Sequence, residues 1–503
     1  MQFVRNSTIF FLIAVIIISS WLMGGHHYVF PYVSLFIIAG SGLGLIIALI
    51  GNKTVEVSPI LLTSFFVLLG IIISGVFFHQ FSEVEGTFES FYEYKNKPAY
   101  LPFGLTTDNV WEHVVILFAA ILCGYLAYVG FDKRSSIRFL LWLIFINIMV
   151  LAITGTFFKI TGATLILGQF EPPDPRYFFA SFTYKNHWSA YATLGYLASF
   201  GLAVYYHKNR RRWNLKNSPL GIFLSLGLLV GITTIMSGSR SGFIMFCFGY
   251  GICIWISLRL LFESYTFMIS QLSFVLRFIL ALLPIPVIIF AVYMVSPDLI
   301  REPLIVTQTQ IENAVENRRF EGRVYSTRDT FKMFMARPWW GWGYQSYEVL
   351  FRKYFQGPEL SATYFSDPKT KARYDALAKA VEDNPTDENQ MKLQSYRSQM
   401  GLNYYKFAHN DLVQYLAEIG LFGFIALMLP LLFGFLKCIT ADHLSSVSKW
   451  GILGIFIILA YSFVEFPTRT PGILFLFTIV AGLTFRYNNL EIEDMDGKRR
   501  SRS

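Results

Sequence analysis

The chain is punctuated by unbroken apolar runs of about 16–22 residues, the length a helix needs to cross the hydrocarbon core of a bilayer. Twelve such runs can be read along it, at roughly 8–23, 33–50, 59–76, 112–130, 137–157, 188–206, 219–236, 241–260, 278–295, 417–436, 449–465 and 471–485. Inside lipid, backbone N–H and C=O groups have no water to bond, so runs of this length must become helices. The expected fold is all-α: a polytopic membrane protein of about twelve transmembrane helices. With 54% hydrophobic and 15% charged residues, the composition fits no ordinary soluble domain.

The net charge of +9 matters through its placement, and it is not a nucleic-acid signature. Outside one long loop, the basic residues gather on a single side of the expected spans. They are Arg5, Lys53, Lys133, Arg134, Arg138, the run from Lys208 to Arg212 with Lys216, Arg259, Arg277, Lys437, Lys449 and the tail from Lys498 to Arg502. The positive-inside rule makes that side cytoplasmic and places both termini there. The first run has one basic residue before it and no small-residue cleavage site, so it reads as a retained span. The four cysteines, Cys123, Cys247, Cys253 and Cys438, fall within or at the ends of apolar runs, which excludes a disulfide framework.

This topology divides the chain into 1–157 (spans one to five), 158–295 (spans six to nine), a large external loop at 296–410, 411–485 (spans ten to twelve) and a basic tail at 486–503. The outer face also holds an acidic, aromatic loop at 77–111 and a second loop at 158–187. Within the large loop, "DPKTKARYDALAKAVEDNP" predicts a helix capped by Asp367, begun at Pro368 and stopped at Asn384-Pro385. A further helix is expected from Thr386 or Asp387 to Gly401, and residues 359–401 read as a cover over the external opening. No 6+6 repeat is visible, and the longest loop is neither central nor cytoplasmic, which weighs against a major-facilitator transporter.

Polar groups concentrate on the outer face. In "SGSRSG", Ser239 can cap the eighth span and Arg240 adds positive charge to a helix N-terminus, a combination suited to a phosphate. An interfacial turn whose arginine reaches headgroups explains the same residues. The segment "NRRFEGRVYSTRDTFKMFMARPWWGWGY" carries Arg318, Arg319, Arg323, Arg328, Lys332 and Arg337, with helix formers from Val324 to Met335. Its basic face could hold a diphosphate or anionic headgroups. In "AHNDLVQYLAEIGLFG", His409 stands at the mouth of the tenth span, where an imidazole could take a proton from an attacking hydroxyl or merely cap a loop. Asp411, Gln414 and Glu418 fall on one stripe of that helix and read as internal support. Lys185, Asn186 and His187 precede the sixth span. Glu465 and Arg469 flank the last external turn, near enough in sequence to pair with one another. No Asp-x-Asp pair stands out as a metal site, so neither a metal nor another cofactor is expected.

Taken in order, "SGSRSG", "EGR", "ARPWWGWG" and "HNDLVQYLAEIGLFG" resemble the pattern of the O-antigen ligase and polymerase family. The most specific match is His409-Asn410 followed by nine residues and Gly420. "FTYKNHWSAY" and "SFVEFPTRTPGILFLF" are similar to the family's core span and closing spans, and the resemblance covers roughly 165–485. It implies a metal-independent, inverting glycosyltransferase on the external face of a bacterial cytoplasmic membrane. The implied donor is a glycan on undecaprenyl diphosphate. The acceptor would be a hydroxyl on lipid A-core (ligase), on another lipid-linked glycan (polymerase) or on a protein (oligosaccharyltransferase). The family's two arginines map onto Arg240 and Arg323 and its histidine onto His409; Ser239, Asn410, Arg328, Lys185, Asn186 and Arg469 are candidate substrate binders. Two other classes compete: a lipid-glycan flippase that only binds diphosphate, and a non-catalytic partner in polysaccharide assembly. A flippase should carry basic residues along a path through its spans, and these spans carry very few.

Overall fold

A computed structural model describes residues 2–51, 58–78, 81–83, 91–93, 104–106, 110–172, 175, 177–262, 322–354, 368–384, 386, 389, 392–393, 406–441 and 443–500. The protein is a multi-pass bundle of α-helices. Its helices are α1 (Gln2–Trp21), α2 (Phe30–Gly51), α3 (Pro59–Phe77), α4 (Val110–Val129), α5 (Arg134–Ile160), α6 (Lys185–Lys208), α7 (Leu220–Met236) and α8 (Arg240–Phe262). They continue as α9 (Gly322–Ala336), α10 (Tyr347–Tyr354), α11 (Pro368–Asp383), α12 (Asp411–Ile439), α13 (Ser446–Tyr461) and α14 (Pro471–Arg500).

Eight of these, α1 to α5, α8, α12 and α14, are long and apolar enough to cross a membrane. The apolar helices α7 and α13 are shorter, at 17 and 16 residues. Helix α6 is long enough at 24 residues but carries too many polar side chains to qualify by composition. Those side chains are satisfied within the bundle: Trp188 Nε1 donates to Thr233 Oγ1 at 3.1 Å, Thr193 to the Ser189 carbonyl at 2.7 Å and Ser199 to the Leu141 carbonyl at 3.1 Å. Eleven of the twelve expected runs thus lie on described helices, and the run at 278–295 falls outside the described residues. So do Arg318, Arg319 and most of the helix expected at 386–401, whereas α11 ends one residue before the anticipated stop.

Helices α6 and α14 form the centre. Helix α6 packs most extensively on α13, and α14 on α4. At the basic end, both terminal helices are tied to the α4–α5 turn by ion pairs of Arg5 with Asp132 at 3.0 Å and Arg134 with Asp494 at 2.6 Å, and by a hydrogen bond from the buried Arg486 to the Phe131 carbonyl at 2.8 Å. The acidic, aromatic loop at 77–111 adds a small sheet to the all-α frame. Its strands β1 (Phe81–Glu83), β2 (Phe91–Glu93) and β3 (Leu105–Thr106) run in the order β2-β1-β3, with β1 antiparallel to β2 and parallel to β3.

One span is discontinuous. Within α12, Gly420 has φ 65° and ψ −176°, a conformation open in practice only to glycine. The break would orphan backbone groups in the bundle, and the Trp-rich segment supplies partners for them. Trp342 N–H donates to the Ala417 carbonyl at 3.0 Å and Gly343 N–H to the Glu418 carbonyl at 2.8 Å. In return, Leu421 N–H donates to the Pro338 carbonyl at 2.7 Å and Phe422 N–H to that of Trp339 at 3.2 Å. The approach is close enough that a Cβ on Gly420 would sit 2.4 Å from the Trp339 carbonyl oxygen. We expect Gly420→Ala to cost about 2–5 kcal/mol through backbone strain and overpacking. Thermal unfolding of the purified protein checks this, and a wild-type midpoint would rule out the clasp.

Candidate functional site

The site grows from the first turn of α12. Asn410, in extended conformation, accepts a hydrogen bond from Val413 N–H at 3.1 Å on its side-chain oxygen and so caps the helix. Asp411 N–H donates to the Ser462 carbonyl at 2.9 Å, pinning this helix start to the end of α13. Ala408 N–H donates to Gln414 Oε1 at 2.9 Å, and the Ala408 carbonyl accepts from Ser326 Oγ of α9 at 3.1 Å. Held between these anchors, His409 takes a left-handed backbone conformation with φ 52°.

The His409 ring reaches Glu465, with Nδ1 3.3 Å from Oε2. Glu465 follows α13 and its side chain is only 2% exposed. Its other oxygen, Oε1, accepts from Arg323 Nη1 of α9 at 2.5 Å and from Asn186 Nδ2 of α6 at 2.6 Å. Ser241 of α8 lies at the edge of hydrogen-bond reach, at 3.5 Å, and its hydroxyl also meets that of Tyr461 at 3.1 Å. Asn186 Oδ1 accepts from Ser239 Oγ at 2.6 Å, and Ser239 Oγ accepts from Gly242 N–H at 3.0 Å, capping α8 as its sequence implied. A buried carboxylate is costly unless compensated by charge and donors, and Glu465 collects both from α6, α9 and the approach to α12.

The structure therefore gathers His409, Arg323, Asn186 and Ser239 around one carboxylate. Lys185 precedes Asn186 and lays its ammonium over the Tyr177 ring at 4.2 Å. Arg240 follows Ser239 as the first, half-buried residue of α8. Three other candidates lie in different settings. Arg328 forks onto its neighbour Asp329 at 2.9 and 3.2 Å, and the Asn410 side chain serves the helix cap.

Arg469 belongs to a second, buried network and does not pair with Glu465 as their spacing had suggested. It binds Glu418 at 2.9 Å, lies 3.5 Å from Asp411 and stacks over Tyr415 at 4.1 Å. Asp411 also accepts from Thr468 N–H at 2.8 Å, and Gln414 donates to Glu418 at 3.0 Å, so the polar stripe of α12 is joined to the turn that carries Glu465. Burial opposes the Arg469 charge, but the facing Glu418, Tyr415, Tyr344 and Asp411 outweigh it and hold its pKa above the ordinary arginine value.

Sequence reasoning missed Glu465 as the hub. The signal is an acid between Val464 and Phe466 at the end of a span, but Arg469, four residues on, offers a simpler local partner in the sequence.

Residues 224–369 match the family model described as O-antigen ligase. That stretch is similar to O-antigen ligases. The matched stretch runs from α7 to the start of α11 and contains Ser239, Arg240, Arg323 and Arg328. His409 and Glu465 lie beyond its end, joined to the O-antigen ligase stretch through Arg323 and Ser326. No curated protein matches the chain.

The two networks should respond differently to mutation. Arg469→Leu leaves Glu418 and Asp411 buried without their cation and should destabilise the fold by about 3–5 kcal/mol. Arg323→Ala, at a side chain 27% exposed whose partner Glu465 keeps Asn186 and His409, should lower the unfolding midpoint less. Denaturation of both variants side by side checks this, and equal losses would mean that the Arg323–Glu465 pair is also chiefly structural.

Proposed function

We propose that this protein is a membrane glycosyltransferase that moves a glycan from undecaprenyl diphosphate to an acceptor hydroxyl on the external face of a bacterial cytoplasmic membrane. The observation that carries the reading is the convergence of Arg323, Asn186 and His409 on Glu465, beside the capped turn that bears Arg240.

In the proposed reaction, the acceptor oxygen attacks the anomeric carbon as the bond from that carbon to the diphosphate oxygen breaks, inverting the configuration. Negative charge then grows on the leaving lipid diphosphate. Arg323, Arg240 and Lys185 stabilise it with fixed positive charge and N–H donors. With Nδ1–H directed at Glu465 Oε2, the other ring nitrogen of His409 is the acceptor for the hydroxyl proton. Glu465 would fix that tautomer and stabilise the imidazolium that forms, while holding Arg323 on the same side of the site. Once the diphosphate arrives, Arg323 can divide its guanidinium donors between Glu465 and phosphate.

The acceptor class separates three versions of this reading: lipid A-core for a ligase, a lipid-linked glycan for a polymerase, and a protein hydroxyl for an oligosaccharyltransferase. A deletion strain complemented with wild type, His409→Ala or Glu465→Ala, with its surface polysaccharide run on a gel, tests the mechanism and the acceptor together. Loss of all polymer on lipid A-core, with chains accumulating on the carrier, means ligase. Survival of single repeats alone means polymerase, and an unchanged ladder directs the search to glycosylated protein. Each variant should lose about 10²–10⁴-fold in transfer rate. Wild-type rates from purified His409→Ala would remove the general base from the mechanism.

A further inference from the structure

Beside Glu465 and His409 lies a group of rings that the transfer chemistry above does not use. The turn after α1 reads "MGGHH", and Met23, Gly24 and Gly25 take successive positive φ values of 55°, 66° and 88°. Gly24 and Gly25 are held where side chains cannot fit: a Cβ would come within 2.7 Å of the Phe182 ring at the first and 2.4 Å of Pro471 Cβ at the second. This turn is therefore locked against the start of α14, and it delivers His26 to His187 with ring centroids 5.6 Å apart and planes at 23°.

His187 is buried, and among the described residues neither of its ring nitrogens has a hydrogen-bond partner. A buried imidazole left unpaired is expensive, so its nitrogens are suited to a donor or acceptor that the described residues do not supply. Around the pair stand Tyr184, 5.0 Å from His187, and Phe466, 5.4 Å from it. Phe466 also touches the His409 ring edge-on at 4.9 Å, which makes the group continuous with the candidate site. His26 is the exposed member of the group, so the cluster meets solvent there. An imidazole is mainly uncharged at neutral pH even at its ordinary pKa of about 6.5.

These properties select a ligand class. Uncharged imidazoles give one donor and one acceptor each, which suits hydroxyls and not phosphates. The exposed His26, backed by the stacked His187, offers a flat ring to the apolar side of a sugar. The two stacked imidazoles lie face to face, so their nitrogens do not converge as metal ligands would.

We propose that the ring group of His26, His187, Tyr184 and Phe466 is a sugar-binding subsite, with the exposed His26 as its platform, that seats a pyranose ring of the acceptor glycan beside His409. The proposal deepens the transferase reading and rests on it for the assignment to the acceptor. Sugar binding itself is measurable without any transfer.

The test uses the full chain in a detergent that has no sugar headgroup. Saturation-transfer NMR is recorded with methyl β-glucoside, methyl β-galactoside and N-acetylglucosamine as probes, and inorganic pyrophosphate binding is followed in parallel by phosphorus NMR. At least one glycoside should receive saturation from the wild type. His26→Ala should weaken that signal about threefold to tenfold, the worth of a lost aromatic contact, while His26→Phe keeps most of it. Pyrophosphate binding should be unchanged in both variants, which also shows that they are folded. No signal from any glycoside with the wild type, or full signal with His26→Ala, overturns the subsite. Glycoside binding without pyrophosphate binding by the wild type would uphold the subsite and count against the diphosphate reading instead.

Discussion

A carboxylate removed from water must be met by positive charge and N–H donors, and Glu465 is met from three separate parts of the chain. Arg323 comes from α9, Asn186 from the first turn of α6 and His409 from the approach to α12. Such a group enforces geometry more than it adds stability, because each partner is needed to offset the desolvation of the others. The relative placement of α6, α9, α12 and α13 at this end of the bundle follows from that requirement. The second network, centred on Arg469, keeps the turn that bears Glu465 from drifting, through its bonds to Glu418 and the contact of Asp411 with Thr468.

The two ends of the bundle use charge in different ways. At the basic end, Arg5 of α1 pairs with Asp132 and Arg134 of α5 with Asp494 of α14, so pairs partly open to solvent tie both terminal helices to the α4–α5 turn. At the other end, charged and polar side chains are sequestered and turned toward one another. Four of the chain's eight histidines, His26, His113, His187 and His409, lie close enough there to influence one another electrostatically. Polar groups placed at such cost at the edge of an apolar bundle mark a working surface.

Much of this was legible in the sequence, because hydropathy in a membrane protein is a strong and local signal. The helices carrying the apolar runs, the cap at Ser239, the helix that begins near Val324, and the support offered by Asp411, Gln414 and Glu418 all follow from periodicity, capping and the cost of burying charge. Pairing across long sequence distances did not follow. Arg469 stands four residues from Glu465 and suggested a local bond, but packing turned the two side chains to different partners. The break at Gly420 was hidden because the residues around it keep an uninterrupted apolar pattern. Only the Trp-rich segment, distant in sequence, completes its backbone. The "MGGHH" turn passed unnoticed for a related reason: its glycines acquire meaning only against Pro471 and Phe182.

The clasp at Gly420 has a consequence for how such a chain can diversify. Because the backbone from Pro338 to Gly343 is knitted into α12, and Ser326 bonds to the Ala408 carbonyl across 82 residues of sequence, α9 and the outer half of α12 behave as one block. Helix α10 ends at Tyr354 beside that block and the chain rejoins it at Lys406, so the distance between Arg323 and His409 is set on either side of the intervening sequence. That sequence can change in length without altering it. A lineage could therefore change what it recognises by grafting new material at this point while inheriting its chemistry intact.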